Sequence, residues 1–144
     1  MKRKEFVKQA AQIIWRAIDF SDFSTREGLL ALTEHIDCSK ADYRDIFEFG
    51  MQFVVEAQDP EDINKILSNL INQEQNENAK RLKTIQKEAV LNIVAGTNTR
   101  MLMEIMFSYV DNEELKEIRK NFNFLGEDES IDFRKVEALL FKKT

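Results

Sequence analysis

Residues 49–71 read FGMQFVVEAQDPEDINKILSNLI. An apolar helix ends near Ala57, and a helix-start signal follows at once. Asp59 can accept a hydrogen bond from a free N–H of the next first turn, and Pro60 falls at the first helical position, where its missing N–H costs nothing. Asp62 adds a carboxylate near the positive end of that helix. Ile63, Ile66, Leu67, Leu70 and Ile71 recur at helical offsets and form one apolar face. The stretch therefore predicts two helices joined by a tight turn.

Upstream, the helix begins at Ser39 or Lys40, and Tyr43, Ile46, Phe47, Gly50, Met51, Val54 and Val55 make its apolar face. Residues 4–19 carry Phe6, Ala10, Ile13, Ile14, Ala17 and Ile18 on one side, which predicts an amphipathic helix. Phe20–Phe23 (FSDF) reads as a connector. Ser24 with Glu27 three residues on has the capping-box pattern and predicts a second helix through Leu29, Leu30, Leu32 and Ile36. Gly28 would lie inside it, at a cost of about 1 kcal/mol relative to Ala.

Downstream of Pro60 there is no breaker until Gly96. A continuous helix of that length would run roughly 50 Å. Residues 72–80 (NQEQNENAK) are nearly all polar, which predicts an exposed or kinked section or a straight bridging helix. The apolar pattern returns at Leu82, Ile85, Ala89, Val90, Ile93 and Val94. Gly96 suits a left-handed helix end, and Thr97 or Asn98 caps a helix whose face is Leu102, Ile105, Met106 and Tyr109. Asp111 with Glu114 repeats the capping box for a helix to about Asn121. A loop over 123–130 and a last helix over about 132–142 complete the chain. No period-2 pattern occurs. The expected fold is all-α, a single helical domain of about seven helices with a long central helix and a helical hairpin.

At 144 residues the chain suffices for one domain that buries roughly 68–70% of its unfolded surface without a disulfide or metal. A net charge of −5 argues against nucleic-acid binding, which needs clustered Lys and Arg. The Lys2-Arg3-Lys4 cluster reads as a solvated end. One Cys excludes an internal disulfide and fits a reducing compartment. No apolar run approaches a membrane span, and polar residues interrupt any signal-peptide pattern near the start. These features predict a soluble, cytoplasmic protein.

Catalytic chemistry is hard to place. His35 is the only histidine and reads as a surface residue at a helix end. Cys38 lies three positions away, too few ligands for a metal. Asp59-Glu61-Asp62 reads as a helix start and Glu127-Asp128-Glu129 as a solvated loop; neither has the ligand alternation of a calcium loop. No glycine-rich phosphate cradle exists. Neither an enzymatic role nor a cofactor or metal is expected. Met101, Met103, Met106 and Phe107 read as core or, if exposed, as an adaptable apolar partner face. Phe122, Phe124, Phe133 and Phe141 could pack internally or dock on a partner.

Three segments, in order, resemble the cytoplasmic part of the flagellar stator family MotA. Arg26–Leu32 (REGLLAL) is similar to the family's REEGLLALE. Phe49–Ile71 is similar to GLQLVVDGTDPE followed by a helix. Glu88–Val110 (EAVLNIVAGTNTRMLMEIMFSYV) is similar to EGVLAIQAGENPRVLEEKLLSFL. The chain departs from the family in lacking its membrane helices: only about residues 72–87, a polar interval broken by Leu82 and Ile85, separate the second and third segments. The resemblance implies a stator-like cytoplasmic helical domain over 1–110, with 111–144 as a C-terminal helical extension packed on it. It implies a flagellar-motor-associated protein at the inner face of the membrane. Such a protein would bind or scaffold a rotor or stator component, such as the rotor switch protein FliG or a stator subunit, without conducting ions. Homo-oligomers are compatible with it.

In the family an Arg and a Glu eight positions apart contact the rotor. Arg26 and Glu34 have that spacing and on one helix would be offset by about 80°; alignment on Gly28 instead puts the family positions on Thr25 and Thr33. A general helical adaptor, or a small-ligand regulatory domain unrelated to motility, is the alternative.

Overall fold

The structure, a computed structural model, describes residues 1–36 and 45–120. Among them the chain forms six α-helices and no strand: α1 (Arg3–Glu27), α2 (Ile46–Val55), α3 (Pro60–Asn72), α4 (Glu77–Ala95), α5 (Thr99–Phe107) and α6 (Asn112–Lys120). A 3-10 segment, Leu29–His35, follows α1. The all-α single domain expected from the sequence is what is seen. The helix starts expected at Ser39 or Lys40 and near residue 132, and the loop over 123–130, lie outside the described residues.

Local chemistry sets most boundaries. The Asp59 carboxylate accepts from the Glu61 N–H at 2.9 Å, with Pro60 opening α3. Asn98 accepts from the Met101 N–H at 2.9 Å and starts α5. Asp111 and Glu114 form the reciprocal capping box: the Glu114 N–H donates to Asp111 at 2.8 Å, and the Asp111 N–H to Glu114 at 3.0 Å. Gly96 ends α4 at φ 74°, a region open to glycine without a Cβ penalty.

Two expectations fail. Residues 20–23 are not a connector, and Ser24 is not a cap: α1 runs unbroken to Glu27. Phe20 is buried with its ring 5.2 Å from that of Phe47, so tertiary packing holds the segment helical. The Ser24 hydroxyl donates back to the Ser21 carbonyl at 3.0 Å. Gly28 is not inside a helix but ends one, at φ 91°. The residues beyond it wind as a 3-10 segment, which places side chains three apart on one face. Leu29 and Leu32 turn inward, whereas Leu30 is 73% exposed.

The long central helix is likewise two helices. The chain turns at Gln73, and Asn76 caps α4 by accepting from the Ala79 N–H at 3.0 Å. The two helices fold back on each other, because Lys83 bonds Glu74 at 2.9 Å and Lys87 bonds Ser68 at 3.3 Å.

α4 is the central element, packed against α1, α2, α3 and α5. It runs parallel to α1: Asn78 donates to the Met1 carbonyl at 3.1 Å at one end, and Thr99, just past α4, bonds Ser21 at 2.9 Å toward the other. α2 runs the same way, with Asp45 beside Leu82 and Gln86 and Gly50 against Val90. A Cβ at Gly50 would lie 2.9 Å from Val90 Cγ2 and 3.0 Å from Leu67 Cδ1, so the missing side chain lets α2 seat closely between α3 and α4. Phe6, Ile14, Ile18, Phe47, Met51, Leu67, Ile85, Leu102 and Met106 fill the core.

Candidate functional site

The parallel course of α1, α2 and α4 gathers their C-terminal ends at one pole of the bundle. The 3-10 segment packs against α1 and α2 there, and the turn before Asp59 and the turn at Gly96 follow the ends of α2 and α4, so the three sequence segments singled out above each contribute to this end of the bundle. At the α2–α3 turn Ala57 takes φ 61°. Its N–H donates to the Val54 carbonyl and the Gln58 N–H to the Phe53 carbonyl, each at 3.0 Å, the paired bonds of a Schellman ending.

Arg26 and Glu34 do not share a helix, because Gly28 breaks α1 between them; the offset expected for a continuous helix does not apply. The Arg26 Nε and Nη2 both reach Asp22 Oδ2 at 3.1 Å, and the guanidinium lies 5.9 Å from the Phe23 ring centre. Glu34 is exposed. Thr25 and Thr33, the alternative pair, are exposed, and their hydroxyls donate to the carbonyls of Ser21 at 2.9 Å and Leu30 at 2.7 Å.

Of the two readings of the apolar residues on α5, core or partner face, three residues take the first. Met103, Met106 and Phe107 are buried in the core, and of the four residues only Met101 stands outside, 49% exposed. Each buried residue sits on the side of α5 that packs against α1 and α4. The sequence had no means of marking Leu30 as the outward residue, since that depends on the 3.0-residue period after Gly28.

Two buried carboxylates anchor the bundle. Glu48, on the first turn of α2, is fully buried and ion-paired with Arg16. The Arg16 guanidinium lies 5.2 Å from the Phe20 ring centre and 5.4 Å from that of Phe47. Glu114 is 2% exposed and grips Arg81, whose guanidinium lies over the Phe6 ring at 3.9 Å. Burial pushes the Glu114 carboxyl up, but the Arg81 guanidinium and the Asp111 N–H outweigh it and leave it below 4.5. Asp111, bonded by the Glu114 N–H and facing Arg3, is also held low.

Clefts lined by the described residues include two without catalytic character. One of about 390 Å³ is lined by Gln9, Gln12, Arg16 and Gln86 among others. The other, about 660 Å³, runs between α1 and α6 past Arg3, Lys4, Lys8, Glu113 and Glu117. His35 is exposed and stacks edge-on against Phe23, ring centres 4.5 Å apart. No group of three or more His, Cys, Asp or Glu residues suited to a metal occurs among the described residues. Of the acidic sets, Asp59-Glu61-Asp62 begins α3. Cys38, Glu127-Asp128-Glu129 and the aromatic residues of the tail lie outside the described residues. Among the described residues no helix is long and apolar enough to cross a membrane.

No protein-family model, no curated protein and no solved structure matches this chain.

Proposed function

We propose that this chain is a non-enzymatic interaction module associated with the flagellar motor. It is built like the cytoplasmic part of a MotA-type stator subunit, and it binds or scaffolds a rotor or stator component through the pole that carries Arg26 and Glu34. One observation carries the reading. In the three segments that resemble the family, most of the family's glycines fall where this backbone has a physical use for them; another falls on Ala89, buried within α4. Gly28 and Gly96 hold positive φ, and Gly50 admits Val90 and Leu67. The family pattern also has Gly where this chain has Ala57, and Ala57 holds φ 61°. The turn geometry at Gly28, Ala57 and Gly96 supports the reading. Helix-face docking with complementary charge would set orientation and association rate.

The test is crosslinking and pull-down of the tagged chain from its native cells, alongside swimming assays of Arg26→Glu and Glu34→Arg variants. Rotor switch protein FliG or stator subunits among the strongest partners, with weakened swimming in the variants, is the expected result. Partners unrelated to motility and unaltered swimming would reduce the chain to a general helical adaptor.

A further inference from the structure

We infer that Leu30 is the apolar anchor of a docking surface whose partner presents an apolar socket rimmed by Lys or Arg side chains. The inference rests on reading this pole as a protein-binding surface and adds the chemistry of what binds there.

Leu30 is 73% exposed, against 49% for Met101 and 38% for Ile66, the other exposed large hydrophobic residues among the described ones. A single exposed leucine is ordinary; its mounting is what distinguishes this one. Its neighbours Leu29 and Leu32 are inserted into the core. The Ala31 N–H donates to the Gly28 carbonyl at 3.3 Å, the Thr33 hydroxyl to the Leu30 carbonyl at 2.7 Å, and His35 is held against Phe23. The side chain is therefore offered on a backbone already ordered, which lowers the entropy lost on binding.

The charge around it is one-sided. Glu27 lies three residues before Leu30 and Glu34 four after, roughly 8 Å along a 3-10 axis. Both are exposed and make no ion pair among the described residues. Arg26, the nearest cation in sequence, is already matched by Asp22. Two negative charges without an ion pair among the described residues thus flank the anchor in sequence. A socket with an acidic rim would be repelled and one with a basic rim attracted, the complementarity that sets orientation and association rate.

The test places a photo-crosslinking amino acid at position 30, and separately at position 66 as an exposed apolar control, in the whole chain expressed in its native cells. Crosslinked peptides are mapped by mass spectrometry, with and without the double change Glu27→Lys and Glu34→Lys, whose fold is checked by its melting curve. The expected result is a position-30 crosslink to a peptide with an apolar residue beside Lys or Arg, absent at position 66, and at least tenfold weaker after charge reversal. A crosslink insensitive to charge reversal, one to an acidic peptide, or a yield at position 30 no greater than at 66 would overturn the inference. The identity of the captured protein decides the other question. A basic-rimmed partner without a role in motility would sink the motor reading and leave this one standing, and a motor component held by a charge-insensitive contact would do the reverse.

Discussion

Arg81 and Glu114 meet as a two-pronged pair, with Nη1 to Oε1 at 2.6 Å and Nη2 to Oε2 at 2.7 Å. The pair joins α4 to the start of α6, and Arg3 of α1 closes on the same carboxylate at 3.6 Å. Removing Arg81 leaves the buried Glu114 carboxylate with only the longer Arg3 contact and the Asp111 N–H. Arg81→Ala should therefore lower unfolding free energy by about 3–5 kcal/mol, whereas Arg81→Met with Glu114→Leu should cost far less, as isosteric apolar replacements of buried pairs do. Urea denaturation of the three chains measures this; equal losses would mean that the pair acts only through packing.

Acid should act through the same carboxylates. Glu114, Asp111 and Glu74 all titrate below their ordinary values of 4.5, 3.8 and 4.5; for Glu74 the Lys83 ammonium is the main cause. A depressed carboxyl contributes stability that is present above its unfolded value and is lost as pH falls through its folded value. Melting temperature should hold steady toward pH 5 and fall progressively below about 4.5. Glu114→Gln should melt lower at neutral pH and decline less steeply in acid. Parallel curves for the two chains would remove Glu114 from the account.

Gly50 is a packing contact that can be tested from both sides. Gly50→Ala would drive a methyl into Val90, a side chain with little rotamer freedom, and should cost about 1–3 kcal/mol by overpacking. Val90→Ala in the same chain should restore part of that loss, giving a coupling visible in a double-mutant cycle. Strict additivity would show that α2 shifts as a body instead.

Ala57 predicts a gain. A left-handed conformation costs a residue with a Cβ roughly 1–2 kcal/mol, and glycine returns part of that saving through its greater unfolded-state freedom. Ala57→Gly should raise stability by about 0.5–1 kcal/mol, read as a higher urea midpoint at unchanged slope. A loss would mean that the methyl packs usefully at the turn.

What the sequence disclosed divides along a physical line. Asp59, Gly96, Asn98 and the Asp111–Glu114 box act on backbone within a turn of themselves, so their types and spacing sufficed. Asn76 belongs with them: a cap signal was present in the polar run, but the surrounding Asn and Gln residues made it one of several. By contrast, Ser24 and Glu27 matched a cap pattern and failed, because Phe20 packing on Phe47 carries α1 through. Leu30 was placed with the inward leucines because the period after Gly28 could not be foreseen. Nothing in the sequence marks Arg16 with Glu48 or Arg81 with Glu114 as partners; the fold brings each pair together across more than thirty positions.

The clasp at the start of α1 bears on the order in which the chain can fold. α2 with α3, and α3 with α4, are neighbours that close short loops, whereas Arg3 meets Asp111 across 108 positions and Met1 meets Asn78 across 77. Long-range contacts of this kind form slowly because chain closure must precede any reward. As a ribosome delivers the chain from its N-terminus, the apolar face of α1, from Phe6 to Ile18, emerges before the helices that cover it. It gains its full cover only when α4, α5 and the Glu114 carboxylate have followed.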